Sequence, residues 1–245
     1  MLKLRLAAVV GLMVAALSGS IATGSAGVSA PTDVVSISPS LMTVGVAHPV
    51  TVTFAGEIAD RTAAERSVSI AAPTVPDGNF TWLNDRVLRW TPSEFWPAHS
   101  TISLSVGGAK TSFETGGATV GVANISNHTF TVSMDGELLR EMPASMGKYG
   151  HATPVGNFTA LEKQSTVIMD SRTIGIPLDD PEGYKLTVYD AVRVTWGGVY
   201  VHGAPWSEGS QGYENVSHGC INLSAENAEW YFNMVRIGDP IIVEA

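Results

Sequence analysis

From Val34 to Glu114 apolar and hydroxyl-bearing residues alternate in short runs, with no helical stripe of any length. The runs are Val34 to Ser38, Val50 to Phe54, Ser67 to Ala71, Asn79 to Leu83, Val87 to Trp90, Thr101 to Val106 and Thr111 to Glu114. Rich in Val, Ile, Thr and aromatics and bounded by Gly, Pro, Asn and Asp, they predict strands, and seven in close succession predict a sandwich. Asn84-Asp85 and Gly107-Gly108 separate neighbouring runs and have the composition of hairpin turns. Asp60 is placed to cap one short helix that ends near Ser67.

Gly116-Gly117 interrupts the pattern, and a second β-rich region follows with Val120 to Ile125, Thr129 to Met134 and Glu137 to Met142. Asp135-Gly136 is a strong hairpin signal between the last two. The stretch from Met146 to Phe158, broken by Gly147, Gly150, Pro154 and Gly156, predicts an ordered loop. Lys163 to Tyr184 predicts a longer loop of the kind that serves as a lid. Strands are expected again at Ala191 to Trp196, Val199 to Val201 and Ile241 to Val243. Ser224 starts the one convincing helix, with Ala228, Tyr231, Phe232 and Val235 on one face, and Gly238, Asp239 and Pro240 stop it. The chain is therefore expected to be mainly β in two regions, with one short C-terminal helix.

The N-terminus has a different character. Lys3 and Arg5 precede an apolar run from Leu6 to Leu17, and small residues fill Ser18 to Ala30. This is the form of an export signal, and the run is too short for a spanning helix. Residues 1–30 are expected to be a signal peptide or an N-terminal membrane anchor, 31–117 a first domain and 118–245 a second. Without residues 1–30 the chain has 12 basic and 23 acidic residues, a charge of −11, which argues against nucleic acid as a partner. Six Asn-x-Ser/Thr triplets, the last of them two residues after the only cysteine, are read as chance matches in a Ser/Thr-rich chain and not as glycan sites.

A single cysteine, Cys220, leaves the exported protein without an intramolecular disulfide and with one unpaired thiol. It lies 18 positions after His202, across a loop containing Gly203, Pro205, Gly209, Gly212 and Gly219. A thiol reacts as thiolate, and with an ordinary pKa of about 8.5 it needs a base or a positive field at neutral pH. An imidazole is such a base. Gly219 lets backbone N–H groups approach a carbonyl oxygen as it gains charge. A nucleophile, a base and amide donors together make an acyl-transfer site. Two duller readings stand beside it: an inert buried thiol, and a zinc site formed by Cys220, His202 and His218 in a spacing unlike the common zinc signatures.

His202-Gly203 followed by Ser217-His218-Gly219-Cys220-Ile221-Asn222 closely resembles the signature of L,D-transpeptidases with the YkuD-type catalytic domain. The resemblance extends over roughly residues 118–245, through Thr153 to Phe158, Met169 to Arg172 and Ala204 to Ser207. It implies a YkuD-type β-sandwich, and the first region is similar to the immunoglobulin-like domain that precedes the catalytic domain in the mycobacterial-type enzymes. Carried over residue by residue, Cys220 is the acylated nucleophile and His202 its base. The carbonyl of Gly203 holds the imidazole tautomer at a position where the family often has serine. The N–H groups of Gly219 and Cys220, with the Tyr184 hydroxyl, stabilise the oxyanion. Met169 and Tyr184 fall on the lid, Ser217, His218 and Asn222 contact substrate or shape the site, and Trp206 lines the pocket. For Tyr184 and Trp206, ordinary aromatic packing is the alternative.

The implied reaction is a two-step acyl transfer on peptidoglycan stem peptides. A tetrapeptide donor loses D-alanine and forms a thioester on Cys220, and the side-chain amine of an acceptor diaminopimelate then closes a 3→3 cross-link. No metal and no organic cofactor is implied. Carbapenem-type β-lactams are the expected covalent inhibitors, the wall side of the bacterial plasma membrane the expected location, and a monomer the expected state. L,D-carboxypeptidase hydrolysis of the same bond and a non-catalytic wall-binding role are the alternatives.

Overall fold

The computed structural model describes residues 33–245; the expected export segment lies outside them. Thirteen of the seventeen strands fall within or overlap segments whose residue pattern predicts them. In the first region the strands are β1 (Val34–Ser38), β2 (Thr43–Val44), β3 (Val50–Phe54), β4 (Val68–Ala71), β5 (Gly78–Asn84), β6 (Val87–Pro92), β7 (Thr101–Val106) and β8 (Ala109–Thr115). They form two four-stranded sheets, β1-β3-β6-β5 and β2-β8-β7-β4. Alternation turns Val50, Val52, Phe54, Leu88 and Trp90 from one sheet, and Ile102, Leu104, Val106 and Phe113 from the other, into a common core. Trp96 fills its centre, 4.9 Å from Trp90 and 5.8 Å from Phe113 by ring centroid, with its indole N–H on the His48 carbonyl. The short helix α1 (Arg61–Arg66) is capped by Asp60, whose carboxylate accepts from Ala63 N–H. Only β2, two residues long, has no counterpart in the sequence pattern.

The second region contains β9 (Thr119–Asn124), β10 (Thr129–Met134), β11 (Glu137–Pro143), β12 (Gly156–Thr159), β13 (Glu162–Asp170), β14 (Lys185–Arg193), β15 (Tyr200–Gly203), β16 (Ile221–Leu223), α2 (Ala225–Met234) and β17 (Pro240–Glu244). One sheet runs β11-β10-β9-β17-β12 and the other β13-β14-β15-β16. Phe130, Val132, Met142, Val201, Ile221, Leu223, Ile241 and Val243 are buried between them. Helix α2, capped by Ser224, presses Ala228 and Tyr231 into this core. At Asp135-Gly136, φ values of 53° and 87° meet the demand of a two-residue hairpin for two left-handed residues.

The structure corrects the long loop expected over Lys163 to Tyr184. Residues 162–170 are a strand, paired antiparallel with β14 from Glu162↔Arg193 to Asp170↔Lys185. The ladder overrides the polar composition, and only the part after the 3-10 turn Ser171–Ile174 is irregular. β12 likewise lies within the segment expected to be a loop, held by pairing to β17. β16 is the fourth strand without a forecast, after β2, β12 and β13; three residues are too few for alternation to register.

The two regions meet at a backbone seam. Gly45 N–H donates to the Ile237 carbonyl and Ala47 N–H to that of Gly238, both at 2.9 Å. A Cβ on Gly45 would lie 2.0 Å from the Asp239 nitrogen, so only glycine permits this approach. Asp239 itself is fully buried there, with one carboxylate oxygen accepting from Arg236 N–H at 2.7 Å and the other unpartnered. Burial pushes its carboxyl up to about 7, against the pull of Arg236. Since the folded-state pKa is raised, this residue's contribution to stability is complete below pH about 4 and is lost as pH rises through about 7. At about 1.4 kcal/mol per pH unit the loss amounts to about 4 kcal/mol. Asp239→Asn, which mimics the neutral acid, is expected to flatten the wild-type decline in unfolding free energy between pH 4 and 8; denaturant melts at both pH values check this, and parallel declines would contradict it.

Candidate active site

β15 and β16 are adjacent parallel strands with His202 opposite Asn222 and Val201 opposite Ile221. Cys220 immediately precedes β16, so it stands two positions before Asn222 and on the same face. Parallel pairing thus brings together a cysteine and a histidine separated by a loop that holds another 3-10 turn, Pro205–Ser207. Both line one cavity of about 360 Å³, together with Met169, Glu182, Tyr184, Trp206, Ser217, His218 and Asn222. Every site residue expected from the sequence, apart from the two glycines, is on that wall.

His202 is 2% exposed, and its Nδ1 lies 2.9 Å from the Gly203 carbonyl. A carbonyl only accepts, so Nδ1 carries the proton and Nε2 is left as the base. Burial lowers the imidazole pKa to about 4, with the Gly203 contact opposing. The expected backbone contact therefore stands with glycine in the place of serine. A Cβ at Gly203 would meet neighbours only at 3.6 Å, so the larger residue would also fit.

Cys220 is half-buried against Val188, Ala191 and Tyr200, and its Sγ lies 3.7 Å from the Gly198 carbonyl. Burial pushes the thiol up to about 11, opposed by the Tyr200 amide. With the thiol raised and the imidazole lowered, both are neutral at pH 7. The resting pair is thiol and imidazole.

The turn before Cys220 is held from within. Ser217 Oγ donates to the Cys220 carbonyl at 2.7 Å and accepts from Gly219 N–H at 3.0 Å. This corrects one expectation: the Gly219 N–H is engaged by Ser217 and does not face the cavity. Gly219 serves instead as the residue with φ 117°, which side chains rarely adopt. Its carbonyl accepts from Thr153 Oγ1 at 2.9 Å, a contact no sequence signal announces. Asn222 is likewise a shaping residue, its amide donating to Ser207 Oγ at 3.2 Å.

Trp206 is half-exposed and its ring lies 6.0 Å from that of His202, so it walls the cavity and is not core. Tyr184 packs on His218 at 5.0 Å, and its hydroxyl pKa is raised by burial and by the neighbouring Cys220. Met169, one residue before the end of β13, packs with Cys220 against Val188, Ala191 and Tyr200. Lys148 and Glu182 were not foreseen: Glu182 bridges Lys148 and His218 at the cavity mouth. A carboxylate two residues before Tyr184 was the available signal. Among the described residues no group of three His, Cys, Asp or Glu side chains is arranged to hold a metal ion, so the zinc reading has no ligand set.

The sequence matches the L,D-transpeptidase catalytic domain family, YkuD, over residues 118–243 and the bacterial Ig domain family over residues 16–112. It is 56% identical to L,D-transpeptidase 1 of Mycobacterium tuberculosis over 95% of this chain and 93% of that protein. Among solved structures, an L,D-transpeptidase from Mycobacterium smegmatis superposes with a TM-score of 0.84 at 67% identity, covering 88% of this chain and all of that one. The LD transpeptidase LdtMt1 in complex with imipenem superposes with a TM-score of 0.81 at 57% identity, over 87% of this chain and 99% of that one. The chain belongs to the L,D-transpeptidases, enzymes that are cysteine-nucleophile acyltransferases, and its mainly β fold joins an Ig-like domain to a YkuD domain.

His202 can take up a proton only while neutral, so its lowered pKa predicts the acid limb of any acyl transfer to Cys220 that uses this imidazole. The rate of such a transfer, read as the acyl adduct on Cys220, is expected to hold from neutral pH down to about 5 and to halve near pH about 4. A midpoint near the ordinary histidine value, followed by intact-protein mass spectrometry, would contradict this.

Proposed function

We propose that this protein forms 3→3 cross-links in peptidoglycan, through an acyl-enzyme on Cys220. The supporting observation is the forced tautomer of His202, which leaves a basic Nε2 in the same cavity as the only thiol. Cys220 Sγ attacks the carbonyl of the L-centre of diaminopimelate in a tetrapeptide donor while its proton passes to His202 Nε2. The Cys220 N–H and the Tyr184 hydroxyl are the proposed donors to the oxyanion. As the tetrahedral intermediate collapses, the C–N bond to the terminal D-alanine breaks and His202 returns the proton to the departing amine. The side-chain amine of an acceptor diaminopimelate then attacks the thioester, His202 takes its proton, and the thiol is restored as the new amide forms. Attack on the L-centre by an amine conserves the acyl bond through the thioester without an external energy source.

The remaining assignments follow from position. Met169 and Trp206 bound the donor channel, Ser217 and Gly219 hold the nucleophile's turn, and Asn222 braces the floor. Carbapenems enter this reading as covalent inhibitors of Cys220, on the analogy of the relative solved with imipenem. In this reading the enzyme works as a monomer on the wall side of the plasma membrane, with the N-terminal segment as its export signal or anchor.

Incubation with tetrapeptide-stem muropeptide, read by mass spectrometry, tests the proposal. A dimer lacking one D-alanine is expected from the wild type and none from Cys220→Ala. His202→Ala is expected to lower the rate about 10²- to 10⁴-fold. Trimmed monomer without dimer would replace the cross-linking reading with an L,D-carboxypeptidase, and activity retained in Cys220→Ala would overturn both.

A further inference from the structure

The segment from Gly175 to Tyr184 closes over the cavity as one preformed unit. At its base Ser171 N–H donates to the Tyr184 carbonyl at 2.9 Å, Tyr184 N–H returns to Ser171 Oγ at 3.0 Å, and Ser171 Oγ donates to the Ile176 carbonyl at 2.9 Å. At its tip the Asp180 carboxylate accepts from Glu182 N–H and the Asp180 carbonyl from Gly183 N–H, each at 2.8 Å. A Cβ on Gly183 would lie 2.3 Å from the Pro177 carbonyl, so this turn is tight. All of these bonds are internal to the lid and its 3-10 base.

Across the mouth the pattern differs. Among the described residues, Glu182 is the one member of 175–183 whose hydrogen bonds reach the opposite wall. Its Oε2 accepts from Lys148 Nζ and from His218 Nε2, the latter at 2.8 Å. Lys148 is anchored to the nucleophile's turn through its N–H on the Ser217 carbonyl at 3.0 Å. The His218 ring lies between His151, at 4.8 Å, and Tyr184, at 5.0 Å. The ring that Glu182 grips is thus the one on which Tyr184 rests.

We propose that Glu182 is a positioning residue for acyl transfer: its grip on Lys148 and His218 latches the lid and fixes the His218 ring that seats Tyr184 beside Cys220. The proposal deepens the acyl-transfer reading above and rests on it. The pair is solvent-exposed, with Glu182 46% and Lys148 30% accessible, and such pairs are weak. Weakness suits a catch that must release whenever a stem peptide enters or leaves.

A mutant cycle tests this. Glu182→Ala is expected to lower kcat about 10- to 100-fold through misplacement of the Tyr184 hydroxyl, with KM changed far less. Glu182→Gln, which can still bond both partners, is expected to restore most of the rate. Tyr184→Phe alone should cost at least as much as Glu182→Ala, and the double variant should lose nothing beyond Tyr184→Phe. Amide hydrogen exchange over residues 175–184, which needs no turnover, should quicken in Glu182→Ala with exchange in β9 and β17 unchanged. Multiplicative losses in the double variant, or lid exchange equal to wild type, would overturn the latch. Absence of an imipenem adduct on Cys220 in the wild type would instead overturn the acyl-transfer reading, so the two failures are distinguishable.

Discussion

The hydrogen bond from His202 Nδ1–H to the carbonyl of its own neighbour sets the chemistry of the catalytic region. It selects one tautomer of a buried ring without a carboxylate partner, and so without a negative charge that would raise the imidazole pKa. A base poised low and a thiol poised high remain uncharged together. The site therefore holds no standing ion pair in a largely desolvated place, where such a pair would be costly to maintain. Charge develops only when a carbonyl is present to receive it.

Much of the supporting structure serves the two short parallel strands that carry these residues. β14 pairs with β15 on one side and α2 covers them, while the segment around Met146 and Thr153 braces the nucleophile's turn from behind. Ser217 illustrates how such bracing works. One hydroxyl accepts from the amide before the cysteine and donates to the carbonyl of the cysteine itself, so the turn's shape is set by a single side chain. The lid is the exception, because it is rigid within itself and tied down across the cavity by one exposed carboxylate.

The sequence was informative where physics acts locally and silent where it does not. Alternation in β3, β7 and β10, the Asp135-Gly136 turn and the Ser224 cap were all visible, because each depends on neighbours in the chain. The placement of Cys220 and His202 at one cavity was legible because Cys220 stands alone and glycine clusters around it. β12, β13 and β16 were not foreseen: their residues become strands through partners far along the chain, such as Gly156 with Val243 or Asp170 with Lys185. The Gly219 amide was misassigned for a related reason. Nothing in the order Ser217-His218-Gly219 reveals that the serine hydroxyl folds back to occupy it.

β17 is the last strand in chain order, yet it lies inside its sheet, parallel to β9 and antiparallel to β12. Until it arrives, β9 and β12 have no common neighbour, and the core that Ile241 and Val243 complete stays open. Assembly of the catalytic half must therefore wait until residues 240–244 have joined the sheet. A chain in which these residues are unpaired has an unfinished sheet between β9 and β12, so the catalytic half closes in one late step, from its far end.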